Sequence, residues 1–315
     1  MKVIDKRENP AVSCIYLGTL ENGKLVEFAD SIQPPLSIDE KWVLIVSTLY
    51  GCPVKCKMCD AGSSMDYTGS ISEESIFDQI DYMVKRRFPN GLPQIKKFKI
   101  QLARMGEPSF NTDVLEVLKK LPAKYPIPGL IPSVSSVAPA GKENFFDELI
   151  SIKDTYYPNG KFQLQFSIHT TDEAKRDWLI PIKKWSFREI AEYGEKFFKR
   201  GDRKITLNFA LGEDMPLSPD VLVKFFDPNK FLVKITPLNP TLQSVKNKLT
   251  SKINKEEKEV ESLVGALKRS GYEVIVSIGA LEENEIGSNC GQFVTKYLNE
   301  KNNQIKNGYK YWESK

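Results

Sequence analysis

The sequence contains a single histidine, five cysteines and no long apolar segment. One histidine, His169, excludes zinc sites built from several imidazoles, and any Ser/His or Cys/His catalysis would depend on it. No apolar run approaches the roughly 20 residues of a membrane span. The opening MKVIDKRENP lacks the apolar core of a signal peptide. Few cysteines, odd in number, argue for a reducing compartment. We therefore expect a cytoplasmic protein without a membrane partner.

The bulk composition suits a globular chain of one large domain or two small ones. The 315 residues are 41% hydrophobic and 27% charged. The formal net charge is +4, which is only mildly basic. Such a charge permits binding to nucleic acid without requiring it.

Three of the five cysteines, Cys52, Cys56 and Cys59, lie in the run GCPVKCKMCDAG with C-x3-C-x2-C spacing. A closed structural zinc site takes four ligands, and an ordinary ferredoxin cluster is also held by four cysteines. Three thiolates in one loop therefore predict a 4Fe–4S cluster with one open iron. The alternative is a zinc knuckle completed by His169 or Cys290. Those residues are distant in sequence, whereas zinc-finger ligands usually come as local pairs.

Strand and helix patterns alternate from Trp42 onward, after a predicted hairpin of Ser13–Leu20 and Lys24–Asp30. Six strand–helix units predict a parallel sheet, either curled into an open barrel or laid flat and doubly wound. The predicted strands are 42–47, 97–103, 130–137, 162–168, 204–211 and 231–238, with a seventh at 273–278. The predicted helices are 72–87, 112–121, 142–153, 186–200, 218–226 and 254–270. In either arrangement the chemistry belongs on loops at the carboxyl ends of the strands.

Two candidate ligand positions follow predicted strands. In Met105-Gly106-Glu107-Pro108 the glycine lets a ligand approach the backbone, and the carboxylate can accept a hydrogen bond from an ammonium group. The same sequence also suits an ordinary turn. His169 ends the strand FQLQFSIHT, where it would face the pocket or hydrogen-bond locally.

The two cysteines outside the cluster motif differ in their predicted surroundings. Cys290 stands at the start of a helical pattern, where a helix N-terminus would lower the pKa of its thiol. The alternative for Cys290 is a small buried apolar residue. Cys14 lies on the first hairpin strand, and a purely structural role is favoured there.

Several segments together resemble one branch of the radical S-adenosylmethionine (SAM) superfamily. This branch contains the adenosine carbon-2 methyltransferase of ribosomal and transfer RNA and the related carbon-8 methyltransferase of antibiotic resistance. The resemblance runs from about residue 47 to residue 293, in the order of the family. The matching segments are GCPVKCKMCDAG, MGEPSFN, PSVSSVAPA, FSIHTTDEAKRDWLIPIKKW, ITPLNP and EIGSNCGQF.

The resemblance implies a role for each matching position. Cys290 is similar to the cysteine that accepts a methyl group, and Glu27 resembles a glutamate that contacts the substrate or acts as a base. The implied cluster ligands are Cys52, Cys56 and Cys59. The implied SAM contacts are Gly106, Glu107, Ser133, Ser167, Ile168, His169 and Asn239.

The resemblance also implies a mechanism. One SAM methylates Cys290, and a second SAM is cleaved reductively to a radical that takes hydrogen from the S-methyl group. The resulting methylene radical adds to an sp2 carbon, and the covalent adduct then resolves. Implied partners are SAM, an electron donor such as flavodoxin or ferredoxin, and either RNA or a small heteroaromatic substrate.

Two departures from the family bear on the substrate. The RNA enzymes carry a further cysteine that helps resolve the adduct, and Ile45 occupies that position here. Cys14 could take over its role, or resolution could differ. The RNA enzymes also have an N-terminal accessory domain, for which the forty residues before the barrel leave no room.

We expect an α/β fold, a partial (β/α)6 radical SAM barrel at 41–245. A β-hairpin element at 1–40 precedes it, and a strand/helix extension at 246–315 carries Cys290 and a polar tail. The predicted function is a radical SAM methyltransferase that acts on an sp2 carbon through S-methylcysteine. One alternative is a radical SAM enzyme acting on a small heteroaromatic molecule or a peptide, with a different covalent role for Cys290. The other is a non-catalytic Fe–S or zinc RNA-binding module.

Overall fold

The computed structural model describes residues 1–9, 12–91, 93–253, 257–278 and 289–301. The start of the predicted helix at 254–256, residues 285–288 of the EIGSNCGQF segment and the tail from 302 lie outside the described residues. Within the described residues the sheets comprise these strands: β1 (Lys2–Asn9), β2 (Ser13–Thr19), β3 (Leu25–Ile32), β4 (Trp42–Val46), β5 (Leu49–Tyr50), β6 (Gly69–Ser70), β7 (Phe98–Leu102), β8 (Leu130–Ser136), β9 (Gln163–Ser167), β10 (Ile205–Leu211), β11 (Phe231–Pro237) and β12 (Val274–Val276).

The main sheet has the order β1-β2-β3-β4-β7-β8-β9-β10-β11-β12. From β4 to β12 every neighbouring pair is parallel and follows chain order. A doubly wound sheet would reverse its strand order at a switch point, so the sequential order identifies a barrel-like curl. No ladder joins β12 back to β4 among the described residues. The predicted α/β fold with a partial barrel is confirmed.

The amino-terminal strands form an antiparallel extension of the same sheet. The predicted hairpin corresponds to β2 and β3, and β3 also pairs with β4 through Ala29 opposite Ile45. The sequence analysis did not predict β1, which pairs along β2. Its sequence KVIDKREN has no clear alternation of apolar and polar residues, since this edge strand is largely exposed. The hairpin is therefore continuous with the barrel sheet.

Helices cover the outer face of the sheet. The predicted helices begin and end within a few residues of the observed ones, and Ser72 and Ser186 provide side-chain N-caps as expected for serine. A short helix after the predicted strand at 162–168 was not predicted. The helices are α1 (Asp60–Ser63), α2 (Glu73–Arg87), α3 (Asp113–Lys124), α4 (Glu143–Tyr156), α5 (Glu173–Leu179), α6 (Phe187–Phe197), α7 (Pro219–Phe225), α8 (Leu242–Lys246), α9 (Glu257–Arg269) and α10 (Gln292–Lys301), with a 3-10 turn at Pro108–Phe110.

The strands have an apolar outer face and a polar inner face. In β7, Phe98, Ile100 and Leu102 are buried in the main hydrophobic core against the helices. Lys99 and Gln101, which alternate with them, face the space enclosed by the curved strands, here called the lumen. No helix within the described part of the chain is both long enough and apolar enough to cross a membrane.

Candidate active site at the carboxyl end of the barrel

A cavity of about 390 Å³ lies at the carboxyl ends of the parallel strands, and we call it the reaction cavity. Its wall combines the cysteine loop after β4 with the ends of β7 to β11 and the segment before α10. The structure brings nine of the twelve residues singled out from the sequence to this wall. They are Cys52, Cys56, Cys59, Gly106, Glu107, Ser167, His169, Asn239 and Cys290.

Two glycines shape the cysteine loop. At Gly51, which has φ +74°, an added Cβ would lie 2.5 Å from the carbonyl oxygen of Asp66. At Gly62, in α1, a Cβ would lie 2.9 Å from the carbonyl oxygen of Cys52. Only glycine allows such close approach of two backbone segments. The amide of Cys59 donates to the carbonyl of Cys56 at 3.1 Å, so the loop turns tightly around the cavity.

The donor set of this loop fits a 4Fe–4S cluster. Among the described residues, no three Cys, His, Asp or Glu side chains converge closely enough to share a single metal ion, as a zinc site requires. A 4Fe–4S cluster does not need its thiolates to converge on one point, because each of them binds a different iron. Burial raises the pKa of Cys52 to about 12 and that of Cys56 well above its usual range. Bound iron would override this, since a coordinating thiol is deprotonated by the metal.

Asp60, the residue after the last cluster cysteine, ties the loop to α8. Its carboxylate accepts from the amides of Leu242 and Gln243 at 3.2 and 3.0 Å. Thr241 donates its hydroxyl to the carbonyl of Met58 at 2.9 Å. Burial raises the pKa of Asp60 to about 6. These bonds place the segment of Asn239 beside the cysteine loop.

Glu107 is buried and held from several sides. One carboxylate oxygen accepts from the hydroxyls of Ser109 and Ser136 at 2.9 and 2.6 Å and from the amide of Ser109 at 3.2 Å. The other accepts from the amide of Val137 at 2.8 Å. Burial raises the pKa of Glu107 despite these donors. The carboxylate therefore has a fixed position at the cavity wall.

His169 has a defined tautomer. Its backbone is left-handed, with φ +65°, and its Nδ1 accepts from the amide of Ala210 at 3.0 Å. Burial, with the nearby charge of Arg176, lowers the pKa of His169 to about 3. The imidazole is therefore neutral with its proton on Nε2, and it presents a neutral donor at the cavity wall.

The segment of Cys290 is held by a buried ion pair. Glu27 on β3 accepts from the amides of Gly291, Phe293 and Val294 at 2.6, 3.0 and 3.1 Å. It also pairs with Nε of Arg104 at 2.8 Å. Arg104 in turn donates to the carbonyl of Asn289 at 3.3 Å, and its own carbonyl accepts from the thiol of Cys290. Glu27 thus caps α10 from a strand far away in sequence.

The predicted lowering of the Cys290 pKa is wrong. The neighbouring thiol of Cys59 and burial together raise the pKa of Cys290 well above its usual range. The same contact lowers the pKa of Cys59. Cys290 also lies two residues before α10, whose first amides are already capped by Glu27. The helix N-terminus is consequently not available to stabilise a thiolate on Cys290.

The other two positions discussed for adduct resolution lie on β2 and β4. Cys14 is buried on the outer face, where its thiol donates to Glu8 and accepts from Arg86 under α2. Its neighbours Ile15 and Leu17 point the other way, into the cluster of apolar residues that contacts Cys290. Cys14 is therefore separated from Cys290 by the sheet. Ile45 lies opposite Ala29 and Gln101 and has no group that exchanges protons.

Three of the predicted residues lie outside the cavity wall. Glu27 is placed behind Cys290, as described above. Ser133 is fully buried, and its hydroxyl accepts from Gln165 at 3.0 Å. Ile168 packs into the main core on the outer side.

Polar residues of the inner face were missed from the sequence. Ser135, Gln165 and Asn208 line the reaction cavity, and Oδ1 of Asn208 is buried with no hydrogen-bond partner among the described residues. An orphaned acceptor in a cavity fits a ligand that brings its own donor, as the amino groups of SAM would. The strand sequences did contain a pattern that could have indicated these residues. Central parallel strands are usually apolar on both faces, whereas these alternate apolar and polar residues.

Comparisons with known proteins support this picture. No family profile matches the chain. The chain is 23% identical to the probable dual-specificity RNA methyltransferase RlmN of Petrotoga mobilis over 300 residues, which cover 91% of this chain and 76% of that protein. It is 26% identical to the ribosomal RNA large subunit methyltransferase N of Nitrosopumilus maritimus over 258 residues, covering 80% and 68%.

Solved structures show the same fold. A radical SAM methyltransferase from Sphaerobacter thermophilus superposes with a TM-score of 0.70 at 17% identity, covering 92% of this chain and 80% of that one. SuiB of Streptococcus suis, crystallised with SAM, superposes with a TM-score of 0.52 at 15% identity, covering 76% and 52%. The comparisons confirm the resemblance found in the sequence. They also confirm the predicted enzyme class, a methyltransferase.

Proposed function

We propose that this radical SAM methyltransferase methylates an sp2 carbon of an RNA adenine and that Cys290 carries the methyl group. One observation carries the proposal. Cys290 lines the same cavity as the three cysteines of the loop, and the thiol of Cys59 donates to the backbone carbonyl of Cys290 at 3.8 Å. The choice of RNA is supported by the relatives, which are RNA methyltransferases by name.

Different residues around the reaction cavity would bind the cluster and SAM. Cys52, Cys56 and Cys59 would hold the cluster. When bound, cluster and SAM supply a methyl group and a one-electron cleavage that generates an organic radical, chemistry that side chains cannot provide. Glu107 and His169 would contact SAM as a fixed acceptor and a neutral donor, and Asn239 lines the same wall.

Cys290 would act as the nucleophile of the first transfer. With SAM bound, its sulfur would form a bond to the methyl carbon as the bond from that carbon to the sulfonium breaks, and S-adenosylhomocysteine would depart. The thiol proton would pass to solvent as the new bond forms. Glu27 and Arg104 fix the backbone on both sides of Cys290, so the sulfur is held in one place for attack.

Ile45 sets the expected fate of the covalent adduct. Within the described wall of the reaction cavity, the thiols are those of the three loop cysteines and Cys290. A disulfide from position 45 is chemically impossible, and Cys14 lies across the sheet. We infer that release from Cys290 follows another route, and we expect a longer-lived adduct than a neighbouring thiol would allow.

The first test is mass spectrometry of the protein as purified. We expect the peptide that contains Cys290 to carry one added methyl group. In Cys290→Ala the modification should disappear, and in the matched control Cys14→Ala it should persist. Unmodified Cys290 in protein that contains its cluster and has been incubated with SAM would contradict the role assigned to this thiol.

A second measurement addresses the substrate. Anaerobically reconstituted protein is incubated with SAM, an electron donor such as flavodoxin, and RNA, and the RNA is digested to nucleosides. We expect methyladenosine with wild-type protein and none with Cys290→Ala. Cleavage of SAM without any methylated nucleoside would instead favour a small heteroaromatic molecule or a peptide as substrate.

A further inference from the structure

A second cavity of about 510 Å³ occupies the opposite, amino-terminal end of the lumen, and we call it the basic cavity. It shares Gln101, Gln165 and Lys234 with the reaction cavity. The two cavities are therefore neighbouring parts of one lumen. The volume is within the range of cavities that bind small ligands and cofactors.

The wall of the basic cavity carries an excess of positive charge. Asp202 and Glu273 are its carboxylates, and Asp202 is already paired with Lys153 at 2.5 Å. Against them stand six cationic side chains from four strands and the segments just before them. These are Lys41, Lys97, Lys99, Arg203, Lys204 and Lys234.

Two of these lysines, Lys99 and Lys234, are half-buried in the cavity wall, and no carboxylate among the described residues pairs with either. Nζ of Lys99 donates to the amide oxygen of Gln163 at 3.1 Å, which uses one of its three donors. For Lys234, no acceptor of its Nζ is found in the described residues. Burial lowers the pKa of both side chains, to about 7 for Lys99, and the neighbouring cations lower the pKa of Lys99 further.

A protein rarely buries ammonium groups without compensation. Lys99 and Lys234 face one cavity with further cations around them, and the described residues supply no anion to either. The two carboxylates of the wall do not offset this charge, because Asp202 pairs with Lys153 and Glu273 is exposed. The arrangement is that of a site whose anion comes with a ligand.

We propose that the basic cavity binds phosphate, with Lys99 and Lys234 as its central ligands. The continuity of the lumen indicates that the phosphate belongs to a nucleotide whose base extends toward the reaction cavity. This choice of ligand deepens the proposed function and rests on it, whereas the binding of phosphate itself does not.

The test is direct binding, without turnover, to full-length protein that holds its cluster. Isothermal titration calorimetry is performed with pyrophosphate, adenosine 5′-monophosphate, a short RNA and unphosphorylated adenosine. We expect the phosphorylated ligands to bind, adenosine to bind at least tenfold more weakly, and added salt to weaken the binding. Pyrophosphate that binds as well as the nucleotides would identify free oligophosphate as a source of the anion. Preference for nucleotides would identify a phosphoester.

Matched variants assign the binding to this cavity. Lys99→Met and Lys234→Met retain the aliphatic stem and should each lower the affinity for phosphorylated ligands about tenfold or more. Lys224→Met, at an exposed lysine of α7, should leave it unchanged. Thermal melting verifies that the variants are folded. Absence of binding by wild-type protein, or wild-type affinity in both cavity variants, would refute the site. Neither result depends on methylation, so the proposed function would be judged separately.

Discussion

The outer and inner faces of the central sheet carry different chemistry on the same strands. On β7 the outer residues Phe98, Ile100 and Leu102 are fully buried under helices, while Lys99 and Gln101 between them line cavities. The outer face holds the fold together through apolar burial. The inner face contributes polar groups that the fold does not need. A buried polar residue on a barrel strand is therefore a better indication of a binding site than an apolar one.

The largest effect is expected from a comparison of two alanine substitutions, one at a loop cysteine of the reaction cavity and one at a cysteine on the outer face of the sheet. Cys56→Ala should abolish the bound iron and the cleavage of SAM, because two remaining thiolates cannot hold the cluster. Cys14→Ala, on the outer face, should retain both. Iron analysis and detection of 5′-deoxyadenosine after reduction provide the measurement. Full iron content in Cys56→Ala would show that the loop does not hold a cluster.

Two buried carboxylates on β3 give the next comparison. Glu27 faces the Cys290 segment and Arg104, whereas Asp30 faces outward and binds Arg87, Tyr16 and Trp42. Glu27→Gln should lower the free energy of unfolding by about 3–5 kcal/mol, because it leaves the buried Arg104 without its charged partner. Asp30→Asn should lower it by less, because Arg87 is only half-buried.

Only the Glu27 variant should impair the methylation of Cys290. We expect a reduced fraction of methylated Cys290 in Glu27→Gln and an unchanged fraction in Asp30→Asn, measured by mass spectrometry on folded protein. Equal loss of methylation in both variants would show that Glu27 acts only through stability.

Neighbouring residues of β7 give a smaller contrast. Ile100→Ala should lower the free energy of unfolding by about 2–5 kcal/mol, as expected for a cavity in a packed core. Gln101→Ala removes a side chain that faces the lumen, and the loss should stay below about 1 kcal/mol. Denaturant titration measures both. A loss for Gln101→Ala as large as that for Ile100→Ala would mean that the lumen is a packed core.

The smallest effect concerns Lys99 and has the opposite sign. Its folded pKa of about 7 lies below the unfolded value of about 10.4, so the unfolded state binds more protons between these values. Lys99 therefore destabilises the protein increasingly as pH falls from about 10 toward 7. Lys99→Met should raise the free energy of unfolding at pH 7 by about 1–3 kcal/mol, with the gain shrinking toward pH 10. Denaturant titrations at several pH values, with Lys224→Met as control, would show a pH-independent difference if this account is wrong.

The sequence predicted most of the barrel because its signals are local. Strands such as 231–238 are apolar runs bounded by polar segments, and helices such as α6 begin at a serine cap. The edge strand β1 escaped prediction because its largely exposed residues show no clear alternation, although they pair with β2 residues only 4 to 17 positions away.

The candidate site was predictable to the extent that motifs mark it. The cysteine loop, Glu107 and His169 follow strands, and parallel strands bring their carboxyl ends together. The contact between Glu27 and α10 could not be derived in this way, because it joins β3 to a segment 264 positions later. Besides the neighbouring thiol of Cys59 and burial, the same contact removes the helix end on which the pKa expected for Cys290 depended. A capped helix end no longer offers its free amides to a thiolate.

The contact between Glu27 and Gly291 has a consequence for the order in which the protein is made. Synthesis runs from the amino terminus, and domains begin to fold as they emerge. Glu27 and the cysteine loop leave the ribosome well over two hundred residues before Gly291 does. Until then the chain carries Cys52, Cys56 and Cys59 without Cys290, a thiol that could compete as a fourth ligand. Chain order would thus favour the proposed cluster with one open iron.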